Sequence, residues 1–137
     1  MRRRQKGTIM KIKLAILDRD PGYLERFASA FNAYYWDKLE IYSFTQLDKA
    51  LSELKEARID VFLADEFFEI DLDKIPERCG FAYFVDDPLV ASLRDQPAIS
   101  KFQKADNIYK QILSVYAEKS SDITGFKSDG TSSALIS

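Results

Sequence analysis

Three short apolar runs, each closed by acidic residues, decide what this chain can fold into. KIKLAIL (Lys11–Leu17) stops at Asp18-Arg19-Asp20-Pro21. Asp60 leads into DVFLA, which ends in Asp65 and Glu66. FAYFV (Phe81–Val85) is ended by Asp86-Asp87-Pro88. Runs this short and this apolar read as strands, and the last two read as strands buried on both faces. After the first run, Asp20 is a good helix N-cap and Pro21 suits the first helical position. Tyr23, Leu24, Phe27, Ala28, Ala30 and Phe31 then follow at helical spacing.

The rest of the chain repeats this alternation. LEIYSF puts Leu39, Ile41 and Ser43 on one face and Tyr42 and Phe44 on the other, as an edge strand does. Thr45 can cap a second helix striped by Leu47, Ala50, Leu51 and Leu54. The stretch Glu66–Cys79 is less regular and suggests one short helix before or around Pro76. LVASLRD supports a short helix at best. AISKFQ (Ala98–Gln103) reads as a fifth, more polar strand, and Asp106 can cap a last helix carrying Ile108, Ile112, Leu113 and Tyr116. Five strands alternating with helices imply an α/β fold, a parallel sheet with helices on both faces. With the second and fifth strands at the edges, the expected arrangement is a flavodoxin-like (βα)5 three-layer sandwich with sheet order 2-1-3-4-5.

The chain has 137 residues, 46% of them apolar, which suits one domain with an ordinary core. Its net charge of −2 is uneven, because Arg2, Arg3, Arg4 and Lys6 all fall within MRRRQKGTIM. Residues 1–10 read as a basic flexible leader, with Met10 an alternative start. Four charges without aromatic partners give no reason to expect a nucleic-acid partner. Residues 11–119 form the domain, and 120–137, rich in Ser, Thr and Gly, read as a flexible linker or tail. No apolar run approaches the roughly 20 residues of a membrane span, so the cytoplasm is the expected location. Histidine is absent and Cys79 is the single cysteine. That excludes His-based catalysis, a Cys–His nucleophile and an intramolecular disulfide. No nucleophile–base pair is visible, so an enzyme is not expected.

In an open parallel sheet, ligands bind outside the carboxyl ends of the strands. This sequence delivers Asp18 and Asp20 there from the first strand, Asp65 and Glu66 from the third, and Asp86 and Asp87 from the fourth. The fifth adds Lys101 or Lys104. LDRDPG offers carboxylates where a flavin or nucleotide phosphate needs a turn of backbone N–H donors, so those ligands are not expected.

An acidic pair after the first strand, an Asp ending the third and a Lys at the fifth resemble the receiver domain of two-component response regulators. The resemblance covers residues 11–119 in layout. It implies that Asp65 is the phosphoacceptor equivalent, that Asp18, Asp20 and Asp65 are candidate Mg²⁺ ligands, and that Lys101 or Lys104 is the counter-ion of the acidic pocket formed with Asp86 and Asp87. The departures are as informative. Arg19 separates two acids that receivers usually place side by side. Asp86 and Asp87 stand where receivers carry a Ser or Thr followed by a small residue. A carboxylate about 4 Å from another unit negative charge, at an effective dielectric of about 20, is repelled by roughly 4 kcal/mol. The Lys-Pro that ends the receiver fifth strand is also missing from KFQKAD.

The sequence is therefore more similar to an atypical, or pseudo-, receiver. KLAILDRD, a helix ending in the aromatics Tyr34-Tyr35-Trp36, LEIYSF and a late KFQ are similar to N-terminal domains of TadZ/CpaE-type pilus-assembly ATPases, relatives of ParA and MinD. That resemblance implies a non-catalytic module for dimerisation or localisation. Its partners would be protein: a second copy, an ATPase domain, or pilus-assembly proteins. This chain has no GKS or GKT P-loop. Self-association is expected through the face made by the fourth helix, fifth strand and fifth helix, about Leu89 to Tyr116. No cofactor is required by this reading, and Mg²⁺ is the one candidate. The alternative is a regulator phosphorylated at Asp65.

Overall fold

The computed structural model describes residues 11–124. The expected leader, 1–10, and the stretch 125–137 lie outside the described residues. β1 (Ile12–Leu17), β2 (Leu39–Phe44), β3 (Val61–Asp65), β4 (Gly80–Val85), β5 (Ser92–Leu93) and β6 (Gln96–Ser100) form one six-stranded sheet in the order 2-1-3-4-6-5. All pairs are parallel except β5 with β6. The expected α/β, flavodoxin-like arrangement is present, with β6 in the place of the fifth parallel strand.

α1 (Pro21–Tyr35) starts as its sequence dictates: Asp20 Oδ1 accepts the Gly22 N–H at 2.9 Å, and Pro21 takes the first helical position. It buries Leu24, Phe27, Phe31 and Tyr35. Together with α3 (Ala105–Thr124) it covers one face of the sheet, where Leu14, Ile16, Leu63 and Phe84 are buried. α2 (Leu47–Glu56) covers the other face with Ala50 and Leu54, against Ala15, Leu17, Phe62 and Ala64. The alternation in β2 is realised: Ile41 packs on the first face, Tyr42 and Phe44 on the second. Gln46, not Thr45, is the N-cap of α2. α3 runs on to Thr124, so residues 120–124 continue the helix. Among the described residues no helix is long and apolar enough to cross a membrane.

Two expected helices are absent. The segment around Pro76 forms only a 3-10 turn, Leu72–Lys74, whose N-cap Asp71 accepts the Asp73 N–H at 3.0 Å. LVASLRD does not form a fourth helix. Its end pairs as β5 with β6 in a hairpin whose two-residue loop is Arg94-Asp95, both at positive φ (51° and 66°). Positive φ at both loop positions is the requirement of a turn that matches strand twist. The left-handed Arg94 is held by its own guanidinium, which donates to the Glu66 and Phe68 carbonyls and lies 5.0 Å from the Tyr83 ring centre. The hairpin and the 66–79 loop thus cover the part of the second face that helices were expected to cover.

Candidate functional site

Register brings the acids to one edge. Leu17 pairs with Ala64, so Asp18 and Asp65 emerge level at the ends of adjacent strands. Val85 pairs with Ser100, so Asp86 and Lys101 emerge level in the same way. The Lys101 N–H donates to the Val85 carbonyl at 2.9 Å, which fixes this lysine rather than Lys104 at the pocket.

Asp18 and Asp65 are 3% and 4% exposed. Charges so enclosed require partners. Lys101 Nζ supplies one for both, 2.6 Å from Asp18 Oδ2 and 2.5 Å from Asp65 Oδ1. It also lies 3.8 Å from Asp86 Oδ1. The other oxygens are engaged as well. Asp18 Oδ1 accepts the Asp20 N–H at 2.9 Å, and Asp65 Oδ2 accepts the Phe67 N–H at 3.0 Å. Arg19 Nε stands 3.9 Å from Asp65 Oδ2. Tyr23 and Phe84 wall the ammonium, with ring centres 5.2 and 6.0 Å away. Burial alone would lower the Lys101 pKa, but Asp18 and Asp65 more than offset it and hold the ammonium above its ordinary value. Burial, reinforced by the Asp18 charge, pushes the Tyr23 phenol upward. The cavity at this edge has a volume of about 310 Å³.

Of the residues singled out from sequence, Asp18, Asp20, Asp65, Asp86 and Lys101 line this cavity. Asp20 stands at the rim, with one oxygen capping α1. Two placements are corrected. Asp87 is not among the lining residues; its Oδ1 accepts the Leu89 N–H at 2.9 Å in the turn after β4. Lys104 is exposed and offers its carbonyl to the Asn107 and Ile108 N–H groups at the start of α3. Arg19 and Tyr23 were missed as site residues. The signal was their position: one sits between the two acids, the other one turn into the helix that starts from the same edge.

The three candidate Mg²⁺ ligands, Asp18, Asp20 and Asp65, are already engaged by the chain's own groups. Among the described residues no three Asp, Glu, His or Cys side chains are grouped so as to hold a metal ion. Asp18 and Asp65 converge on Lys101, and Asp20 points an oxygen into its own helix cap. A larger cavity of about 680 Å³ lies elsewhere, between the 3-10 turn, the starts of β4 and β6, and Val115 of α3. It opens where the expected third helix is missing, away from the enclosed acids.

A parallel 2-1-3-4 sheet with Asp18, Asp65 and Lys101 joined at its carboxyl edge defines a receiver-type domain. The chain belongs to the family described as "TadZ-like, receiver domain", whose model matches residues 10–117. No curated protein matches the sequence. Among solved structures, the chain is similar to a response regulator receiver modulated diguanylate cyclase from Pelobacter carbinolicus. That match has a TM-score of 0.64 and 11% identity, and covers 84% of this chain and 99% of that one. It is also similar to RcsB from Salmonella enterica serovar Typhimurium, bound to promoter rprA in the presence of phosphomimetic BeF3−. Here the TM-score is 0.58 and identity 12%, covering 85% of this chain and 68% of that one. At such identities the likeness is one of fold.

Proposed function

We propose that this domain is a non-catalytic receiver-type module that works by protein–protein contact, in dimerisation or localisation, as the N-terminal part of a ParA-like pilus-assembly ATPase. One observation carries the reading: both oxygens of Asp65 are already held inside the fold, by Lys101 on one side and by Phe67 N–H and Arg19 on the other. Asp86 reinforces it, standing as a carboxylate beside Lys101 where a hydroxyl would be needed to bond a phosphoryl oxygen. The family match supports the pilus-assembly context.

The contact face is the one about Leu89 to Tyr116, built here from the β5–β6 hairpin and α3 because the fourth helix is absent. Leu89 and Phe102 stand 90% and 67% exposed on it, and large apolar side chains left in water favour association. The occupant is a second copy of the chain. Sedimentation velocity tests this. The double variants Lys104→Glu/Lys110→Glu and Leu89→Glu/Phe102→Glu are expected to weaken self-association while the fold persists. Unchanged association in both would reject this face.

A second reading, phosphorylation at Asp65, is favoured by the Lys101 bridge between Asp18 and Asp65. Acetyl phosphate labelling lost in Asp65→Asn would support it. We expect no labelling.

A further inference from the structure

We propose that Arg19 is a resident cation that takes the place of a divalent metal ion at this edge, so that the pocket is closed by the chain's own charges. The inference rests on the closed-pocket reading above and adds the residue responsible. The Arg19 guanidinium carbon lies 3.9 Å from the Phe67 ring centre, and its Nε lies 3.9 Å from Asp65 Oδ2. The guanidinium is therefore held between an aromatic face and a carboxylate, a geometry that suits its planar, weakly hydrated charge. Phe67 is itself placed by the N–H it donates to the same Asp65 oxygen.

Asp18 and Asp65 bring two negative charges, and Lys101 and Arg19 set two positive ones against them; Asp20, Asp86 and Arg26 add their charges around the same cavity. Mg²⁺ needs one or two carboxylates with free lone pairs and room for several of its own waters. Here Asp65 Oδ2 already faces Arg19, which leaves Asp20 and Asp86 as the carboxylates at the rim. A dication would meet a guanidinium at contact range.

Replacing that guanidinium by a carboxylate reverses both effects at once. Arg19→Asp removes one positive charge and adds one negative charge beside Asp18 and Asp65. Arg19 is 61% exposed on its side chain, so the substitution leaves the core intact.

The test is an amide NMR titration of the whole chain with MgCl₂, for the parent and for Arg19→Asp, with Arg19→Glu as a second variant should the first fold poorly. The parent is expected to show no saturable shifts at Asp18, Asp65 or Phe67. Each carboxylate variant that folds is expected to show them, with affinity raised at least about tenfold. Saturable Mg²⁺ shifts in the parent would overturn the closed-pocket reading and this inference together. A silent parent with silent, folded variants would overturn the role of Arg19 alone and leave that reading standing.

Discussion

Lys101 holds Asp18 and Asp65 together: its Nζ stands 2.6 Å from one carboxylate and 2.5 Å from the other, and both acids are almost wholly enclosed. The three residues come from three different strand ends, so this contact ties the sheet across β1, β3 and β6.

Removing the ammonium leaves two buried carboxylates without their partner. Lys101→Met is expected to lose about 3–5 kcal/mol of stability at neutral pH. In the parent, the Lys101 pKa is raised, so its contribution is complete below the unfolded lysine value, about 10.4, and fades as pH rises through the folded value. Urea unfolding at about pH 7 checks the loss: an unchanged midpoint in Lys101→Met would contradict the bridge.

Tyr35 joins α1 to α3 through the hydrogen bond its hydroxyl donates to Asp106. That bond, helped by burial, pushes the Tyr35 phenol up to about 12 from an ordinary 10.0. Its contribution is therefore present below pH 10 and lost as pH rises towards 12. Tyr35→Phe is expected to cost roughly 0.5–1.5 kcal/mol at neutral pH. The gap between parent and variant should close over that alkaline window, as followed by urea midpoints.

Gly80 opens β4 directly under α3. A Cβ there would lie 2.8 Å from Val115 Cγ1 and 3.1 Å from the Val115 carbonyl oxygen. Gly80→Ala is expected to destabilise by about 1–3 kcal/mol. Adding Val115→Ala should recover none of the clash with the backbone oxygen, so chemical denaturation of the double variant should not return to the parent value.

Burial, with the Asp60 charge behind it, pushes the Cys79 thiol up to about 12. The thiolate is the reactive form. Iodoacetamide at about pH 8 should therefore alkylate the native protein at least roughly a hundredfold more slowly than the urea-unfolded chain. Equal rates would mean that Cys79 is not enclosed as described.

The acidic edge was legible because the strands that carry it are short, apolar and bounded by acids. DVFLA and FAYFV could be little else, and their ends fix Asp65 and Asp86. The side of the edge on which a residue falls was not legible. Asp86 and Asp87 are adjacent, and neighbouring residues at a strand end point to opposite sides. One faces Lys101 while the other closes a turn. The hairpin was hidden for a different reason. Its loop is Arg94-Asp95, without the glycine that usually marks positive φ, and β5 is two residues long, too short for any periodicity. Ending the last parallel strand at Ser100, not Gln103, is what selects Lys101 over Lys104.

The central claim is that Asp65 is closed inside the fold and does not switch. Amide NMR of the parent chain, with Mg²⁺ added first and beryllofluoride second, tests it most directly. The expected result is that the Asp18, Asp65, Phe67 and Lys101 resonances stay where they are through both additions. Saturable shifts at Asp65 and Lys101 on adding beryllofluoride would contradict it and make this domain a working phosphoacceptor.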